Sequence, residues 1–392
     1  MSTVKVNAIR STSGTSDAIT LNSSSGVTAI NGTSLRPQNL IINGAMIVDQ
    51  RNAGAAYSSG TAYTLDRWKV LTSGTDENPT IIQHALTSAG DGLPWADGLR
   101  HSLHITNGNQ TGGVDAADRY QIIHHLETGD IRNCGWDYNS TSSYITLSFW
   151  IKSSVAQNFY GYVRTPDTTG QSYPFETGSL SADTWTKITK TIPGNANITI
   201  DDDDGIGFSL YLNAWLGTDY TGTVTLNQWA AYNSSIRTPD WGSSNDDWFL
   251  TNDSTLEITG VQLEVGPTAS EYMHETYLET LAKCQRYYFK TFDQGTKPAD
   301  GLGHDGEIQH LLIATGDPQV NFYFPRPMNH VPDIVLYNPR SGGTSGEWGS
   351  NSSDSSNARA FGITKNKTII DNTDTNLSAT YWRIAFTADC EL

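Results

Sequence analysis

Hydrophobic and polar residues alternate along several short segments in the middle of the chain. In SYITLSFWIKSS, Leu147 and Phe149 share one side of an extended strand, whereas Ser148 and Trp150 share the other side. The segments NFYGYVRT and IGFSLYLNAW show the same alternation. This period of two predicts half-buried β-strands. The polar sides of the three strands carry Trp150, Tyr160, Tyr162, Arg164, Tyr211 and Asn213.

Turn-forming clusters such as DTTG, IPGN, DDDDG and LGTD separate the strands. The composition agrees with this pattern, because the 392 residues include 36 glycines, 18 tyrosines and 11 tryptophans but only 4 methionines. Short strands at this spacing predict an all-β protein whose middle region is a jelly-roll β-sandwich of two antiparallel sheets.

The same patterns divide the chain into regions. We predict an N-terminal β-rich attachment segment at residues 1–36, a jelly roll at 37–272, a short connecting helix at 273–290 and a small C-terminal β-domain at 291–392.

The connecting helix has a recognisable start. Thr276 and Glu279 have the spacing of a capping box, which predicts that the helix begins there. Spacings of 4, 3 and 4 residues then place one stripe on a single side of the helix. This stripe consists of Tyr277, Leu281, Cys284 and Tyr288.

The N-terminal segment contains short β-prone pieces at residues 4–9, 18–21 and 27–30, separated by Ser/Gly turns. These pieces are too short and too polar to bury a core alone. Three interpretations are open: a disordered tail, a strand that docks on a larger body, and a segment that becomes ordered when several copies intertwine. The regular spacing of Val and Ile favours order on assembly.

Charge and cysteine usage exclude several classes of protein. The net charge of −17 argues against a general nucleic-acid binder, which needs basic stripes for phosphate contacts. The N-terminus has no apolar signal-peptide region and the chain has no run of about 18 apolar residues, so we expect no membrane insertion. Cys134, Cys284 and Cys390 lie far apart without CxxC spacing, which favours free, packed thiols.

Reactive groups are scattered, and no nucleophile lies beside a base, so the sequence predicts no catalytic residues. The four aspartates at residues 201–204 could attract calcium, but EF-hand spacing is absent and a solvated turn is the favoured interpretation. His124 and His125 would point to opposite sides of a strand and would not share one ion. We therefore expect no metal ligands and no cofactor.

Several motifs occur in an order that resembles a family of bacteriophage tail fibre and receptor-binding proteins. They are NLIINGAMIVDQRNAG, YTLDRWKV, ITLSFWIKSS, YPFETGSLSADTWTKITKTIPG, DDGIGFSLYL, ITGVQLEVGPTASEY and LAKCQRYY, and they cover about residues 39 to 289. The resemblance implies a jelly roll similar to carbohydrate-binding modules. It also implies a homotrimer in the virion, assembled in the host cytoplasm, held by phage tail or adaptor proteins through its N-terminus and presented to a bacterial surface glycan or protein.

Two places could make the contact with the bacterial surface. Exposed aromatic rings mixed with amide and charged groups suit sugars, so the polar-side residues of the three strands are candidates for one glycan-binding face. The alternative is that some of these rings lie under loops or in a subunit interface. In the Gly/Ser-rich segment 338–358, Trp348 is a candidate receptor anchor, and a mobile surface loop is the alternative.

Other roles remain open from the residues. A depolymerase would need two carboxylates at a defined separation, which distant loops can supply. However, the chain lacks the long repeats of solenoid tailspikes, and we expect no enzymatic activity. A capsid or tail decoration protein with a purely structural role is the second alternative.

Overall fold

The computed structural model describes residues 39–392 apart from 59, 243–246, 312–317, 356 and 374–380, together with the backbone of four short N-terminal strands. These strands are β1 (Ala8–Arg10), β2 (Asp17–Asn22), β3 (Gly26–Ile30) and β4 (Thr33–Ser34). They form one antiparallel sheet in chain order. Residues 4–7 of the first predicted strand lie outside the described residues, and the attachment role of the segment stays a prediction.

The middle of the chain forms two antiparallel sheets. Their strands are β5 (Tyr57–Ser58), β6 (Ala62–Leu65), β7 (Trp68–Ser73), β8 (Thr80–Ala85), β9 (His101–Thr106), β10 (Arg119–Glu127), β11 (Tyr144–Ser153), β12 (Asn158–Thr165), β13 (Gln171–Ser179), β14 (Thr186–Pro193), β15 (Ile206–Leu216), β16 (Ala230–Ala231) and β17 (Thr255–Val265). The seven-stranded sheet has the order β16-β13-β12-β15-β10-β7-β6, and the six-stranded sheet has the order β14-β11-β17-β9-β8-β5. The prediction of an all-β jelly roll is confirmed.

The core lies between the two sheets. Phe149 on β11 and Phe208 on β15 come from opposite sheets, and both are fully buried in one continuous apolar cluster. Complete burial of such a side chain contributes about 2 kcal/mol to folding. The alternation found in the sequence therefore fixes, strand by strand, which side chains enter this core.

Helices are short. They are α1 (Gly92–Ala96), α2 (Thr128–Asn133), α3 (Asp247–Leu250) and α4 (Tyr277–Cys284), with a single 3₁₀ turn at Thr218–Tyr220. Within the described part of the chain, none of them is long and apolar enough to cross a membrane.

The predicted start of α4 is confirmed. The Thr276 hydroxyl accepts a hydrogen bond from the Glu279 backbone N–H, and the Glu279 carboxylate accepts one from the Thr276 backbone N–H. Leu281 and Cys284 are buried, as the stripe predicts. Its other two members do not fit: Tyr277 is 41% exposed, and Tyr288 lies beyond the end of this eight-residue helix.

The described part of the C-terminal unit contains seven strands and has its own apolar core. The strands are β18 (Tyr288–Lys290), β19 (Ile308–Leu311), β20 (Gln319–Tyr323), β21 (Asp333–Tyr337), β22 (Ala358–Phe361), β23 (Lys367–Asn372) and β24 (Tyr381–Asp389). Strand β24 pairs with β18, β19 and β21, while β20, β23 and β22 form a separate sheet. The core cluster includes Met328, Ile370 and Phe386.

Trp348 belongs to this core, and its predicted role as an exposed receptor anchor is wrong. Its side chain is 0% exposed, and its indole N–H donates to the Asp371 backbone carbonyl at 3.1 Å. The polar segment around it is folded, because Arg340 and Asp354 form an ion pair at 2.7 Å. A buried indole of this kind holds a polar segment against the core and is not available to contact a partner at the surface.

The C-terminal unit is joined to the jelly roll through a buried charge cluster. Glu391 accepts hydrogen bonds from Arg67 and, at 3.1 Å, from Arg51, and its side chain is only 3% exposed. The Arg67 guanidinium also lies over the Tyr287 ring at 3.4 Å from its centroid. Nearby, Arg286 and Tyr287 both donate to the Glu127 carboxylate at the end of β10.

We predict that Glu391→Gln destabilises the protein by about 3 kcal/mol, because it leaves two buried arginines without their shared counter-charge. Urea unfolding at pH 7, followed by circular dichroism, measures the change. The matched control is Glu271→Gln, which neutralises an exposed acid and should change the stability by less than about 0.5 kcal/mol. Equal stabilities of the two variants would contradict the assigned role of Glu391.

Candidate functional site

The outer face of the seven-stranded sheet carries three cross-strand rows of polar and aromatic side chains. Strands β10, β15, β12 and β13 lie side by side, and their registers align the rows. The rows are Gln121–Asn213–Tyr160–Glu176, Ile123–Tyr211–Tyr162–Pro174 and His125–Ser209–Arg164–Ser172. Residues in neighbouring strands at one register lie about 5 Å apart, so the members of each row are direct neighbours. Most of them are buried, and the partly exposed ones are Tyr160, Glu176, Tyr211 and Arg164.

Hydrogen bonds fix the first row. The Gln121 amide donates to the Asn213 side-chain oxygen at 2.7 Å and to the Tyr162 hydroxyl at 3.3 Å. The Asn213 amide in turn donates to the Tyr160 backbone carbonyl at 2.9 Å. Because the Gln121 oxygen accepts from Arg237 at 3.3 Å, this network also ties a neighbouring loop to the sheet.

Stacked rings form the centre of the face. Tyr162 and Tyr211 stack with ring centroids 4.3 Å apart and an interplanar angle of 12°. The Arg164 guanidinium lies 3.9 Å from the centroid of the Tyr232 ring. Tyr162 is completely buried, whereas Tyr211 is half-buried.

A cleft continues this face at the edge of the sheet. It has a volume of about 320 Å³ and lies between β13, β16 and the chain around residues 223–237. Trp229 and Gln228 line it, together with Arg237 and with Ser172 and Pro174 of the outer face. The cleft therefore combines an indole with amide, hydroxyl and guanidinium groups, which is a mixture suited to a polar ligand with apolar patches.

Burial favours the neutral forms of one histidine and two tyrosines of the face. Burial, reinforced by the nearby charge of Arg67, lowers the pKa of His125 to about 3. Burial raises the pKa of Tyr162 and of Tyr211 above the ordinary tyrosine value. At neutral pH the face therefore presents neutral rings and amides, with its positive charge carried by arginines.

Five of the six predicted face residues come together, and one does not. Tyr160, Arg164 and Tyr211 are half-buried on the outer face, while Tyr162 and Asn213 lie under their neighbours and support it. The candidates on β12 and β15 therefore share the outer face of one sheet, and their role in glycan binding stays a prediction.

Trp150 lies on the opposite sheet. Alternation shows which side of its own strand a residue occupies, but it does not show which sheet the strand joins. Strand β11 belongs to the six-stranded sheet, where Trp150 is 7% exposed and donates its indole N–H to Asp97 at 3.1 Å. It packs there against Leu99 and Trp185 in a small apolar cluster.

The chain between β15 and α3 contributes residues to the face that the strand pattern does not reveal. Tyr232, Arg237 and Trp229 lie outside the long alternating strands, so periodicity gives no signal for them. The density of aromatic residues between positions 220 and 241 was the signal that could have drawn attention to this loop.

No protein-family model and no curated protein sequence matches the chain. Solved structures align at low similarity. A domain of bacteriophage CBA120 tailspike protein 4, described as enzymatically active, aligns over 58% of this chain and 21% of its own length, with 12% identity and a TM-score of 0.30. The family 11 carbohydrate-binding module of a Clostridium thermocellum cellulosomal cellulase aligns over 62% of this chain and 100% of its own, with 12% identity and a TM-score of 0.25.

A third structure, the N-terminal cellulose-binding domain of Cellulomonas fimi β-1,4-glucanase C, aligns over 51% of this chain and 90% of its own, with 11% identity and a TM-score of 0.26. TM-scores this far below 0.5 do not identify a function. The jelly roll is defined by the two sheets themselves.

We predict that His125 makes the protein less stable in acid. The folded-state pKa of about 3 lies below the ordinary value of about 6.5, so the unfolded chain takes up a proton that the folded chain resists. Stability is fully present above pH 6.5 and falls by up to about 1.4 kcal/mol per pH unit as the pH drops towards 3. His125→Asn should lessen this slope in urea unfolding between pH 7 and 4.

The matched control for this experiment is His304→Ala, because the His304 side chain is 82% exposed and belongs to the C-terminal unit. Its slope should equal that of the unsubstituted protein. An unchanged slope in His125→Asn would show that folding does not lower the pKa of His125.

Proposed function

We propose that this chain is a phage tail fibre protein that attaches to a bacterial surface by binding a glycan on the outer face of the seven-stranded sheet. The observation that carries the proposal is the half-buried ring of Tyr211, which is stacked on Tyr162. The register partner of Tyr162 on β13, Pro174, lines the cleft beside Trp229. The ordered motifs that resemble tail fibre proteins support the virion role, with the N-terminal segment attached to tail or adaptor proteins.

The chemistry of the face fits a sugar. A pyranose presents a C–H face that packs on an aromatic ring and hydroxyl edges that need donors and acceptors. Tyr211 supplies the ring, and Arg164 supplies donors one strand away. Because Tyr162 fixes the Tyr211 ring from below, little side-chain entropy is lost when a ligand binds.

The same face supports binding without bond cleavage. Hydrolysis of a glycosidic bond ordinarily uses two carboxylates that flank it. In the three rows of the outer face, which are all described, Glu176 is the only carboxylate. We therefore propose a non-enzymatic role in adsorption.

We predict that Tyr211→Ala lowers the affinity for the host surface glycan by roughly thirtyfold, which corresponds to about 2 kcal/mol. The measurement is calorimetric titration with purified host polysaccharide, after a glycan array has identified a ligand. Tyr211→Phe keeps the ring and should retain most of the affinity.

Tyr323→Ala is the matched control, because it removes a ring that is 67% exposed on the C-terminal unit. It should bind like the unsubstituted protein. Full glycan binding by Tyr211→Ala, with loss in Tyr323→Ala, would place the site on the C-terminal unit instead.

We also predict a homotrimer in solution. Light scattering on the purified full chain should give three times the chain mass of 42.8 kDa. A monomeric mass at micromolar concentration would remove the support for a trimeric fibre and for assembly through the N-terminal segment.

A further inference from the structure

A second cluster of polar side chains lies on the outer face of the six-stranded sheet. His84 is on β8, His104 on β9 and Glu257 on β17, and these three strands are adjacent. His104 lies directly opposite Glu257 in the register, and Lys152 of β11 lies opposite Glu257 on its other side. One ligand atom from each of the two histidines and the glutamate can be chosen so that all lie within 4.8 Å of one another.

Two distances from the histidines to the glutamate are close to the edge length of a tetrahedral metal site. His84 Nδ1 is 3.0 Å from Glu257 Oε2, and His104 Nδ1 is 3.3 Å from Glu257 Oε1. Zinc binds imidazole nitrogen and carboxylate oxygen at about 2.0 to 2.2 Å, which places ligand atoms of a tetrahedron roughly 3.3 Å apart. Small side-chain rotations are therefore enough to direct the three groups at one ion.

Neighbouring groups orient the carboxylate. The Ser102 hydroxyl donates to Glu257 Oε2 at 2.7 Å, and Lys152 Nζ lies 2.8 Å from Oε1. Lys152 is also 3.1 Å from Asp91. The two carboxylates exceed the single ammonium by one negative charge, so the cluster attracts a cation although it contains a lysine.

One ligand group is buried, and another is open to solvent. The Glu257 side chain is 3% exposed, whereas His84 is 44% exposed. The cluster is thus anchored from below and open to solvent on the His84 side, where water can complete the coordination.

We propose that His84, His104 and Glu257 form a zinc site that cross-links β8, β9 and β17. The site is on the sheet opposite to the proposed glycan face, and it does not depend on the glycan-binding role. Two imidazoles and one carboxylate favour zinc over magnesium and calcium, which prefer all-oxygen sites. The ion stabilises the folded chain because the unfolded chain does not hold the three ligands together.

Zinc titration of the untagged, chelator-treated full chain tests the proposal. We expect saturable binding of one zinc ion per chain by calorimetry and a higher melting temperature with zinc but not with magnesium or calcium. Cobalt provides a spectroscopic probe, since a four-coordinate Co²⁺ site gives visible absorption bands much stronger than those of the hydrated ion.

His84→Ala and His104→Ala should each weaken zinc binding by at least about 100-fold and abolish the cobalt bands. Because His84 is half-exposed, its truncation leaves the apolar core intact, and circular dichroism verifies the fold. His304→Ala is the matched control: His304 also lies beside a carboxylate, 2.9 Å from Glu307, but outside this cluster. It should bind zinc normally.

The proposal is overturned by either of two results. One is the absence of saturable zinc binding at micromolar concentrations. The other is zinc binding that survives in both His84→Ala and His104→Ala, which would locate the ion at other groups such as the free thiols.

Discussion

The buried guanidinium of Arg67 connects the two parts of the molecule. One of its nitrogens donates to Glu391 of the C-terminal unit, and another donates to the His125 backbone carbonyl on β10 at 2.5 Å. Its flat face covers the Tyr287 ring. Arg67 also has a backbone φ of 71°, a left-handed conformation that costs of order 1 kcal/mol for a residue with a side chain.

This arrangement links the stability of the joint to the proposed binding face. His125 lies in the third row of the outer face, and its ring accepts from or donates to the Ser209 hydroxyl at 2.8 Å. The charge of Arg67 adds to burial in lowering the His125 pKa, so the same guanidinium that fastens the C-terminal unit keeps this ring neutral. Removing the counter-charge of Glu391 therefore disturbs a residue of the face as well as the interface.

Local patterns predicted local structure well. The alternation of apolar residues fixed the core sides of β11, β12 and β15, and the Thr276–Glu279 spacing fixed the start of α4, because both depend on neighbours along the chain. The predictions that failed concerned contacts between residues that are distant in sequence. The sheet joined by Trp150 and the burial of Trp348 depend on residues far away in sequence, about which periodicity carries no information.

The acidic tract at residues 201–204 shows how strongly such distant contacts change the meaning of a segment. From the sequence alone, the tract is predicted to be a solvated turn, and an incomplete calcium-binding loop is the alternative. In the structure, Asp204 forms an ion pair with Lys365 and lies 3.5 Å from the His330 ring, and both residues belong to the C-terminal unit. Asp202 lies 3.5 Å from Arg132 at the end of α2.

These surface pairs are individually weak because solvent screens them. Asp202 and Arg132 both belong to the jelly roll. The position of the Asp204 contacts matters more than their energy, since they lie across the boundary between the jelly roll and the C-terminal unit. Together with the buried contacts of Arg67, they give that boundary two separate points of attachment. A unit held at two points has little freedom to rotate, so a force applied to the C-terminal unit would pass directly into the jelly roll.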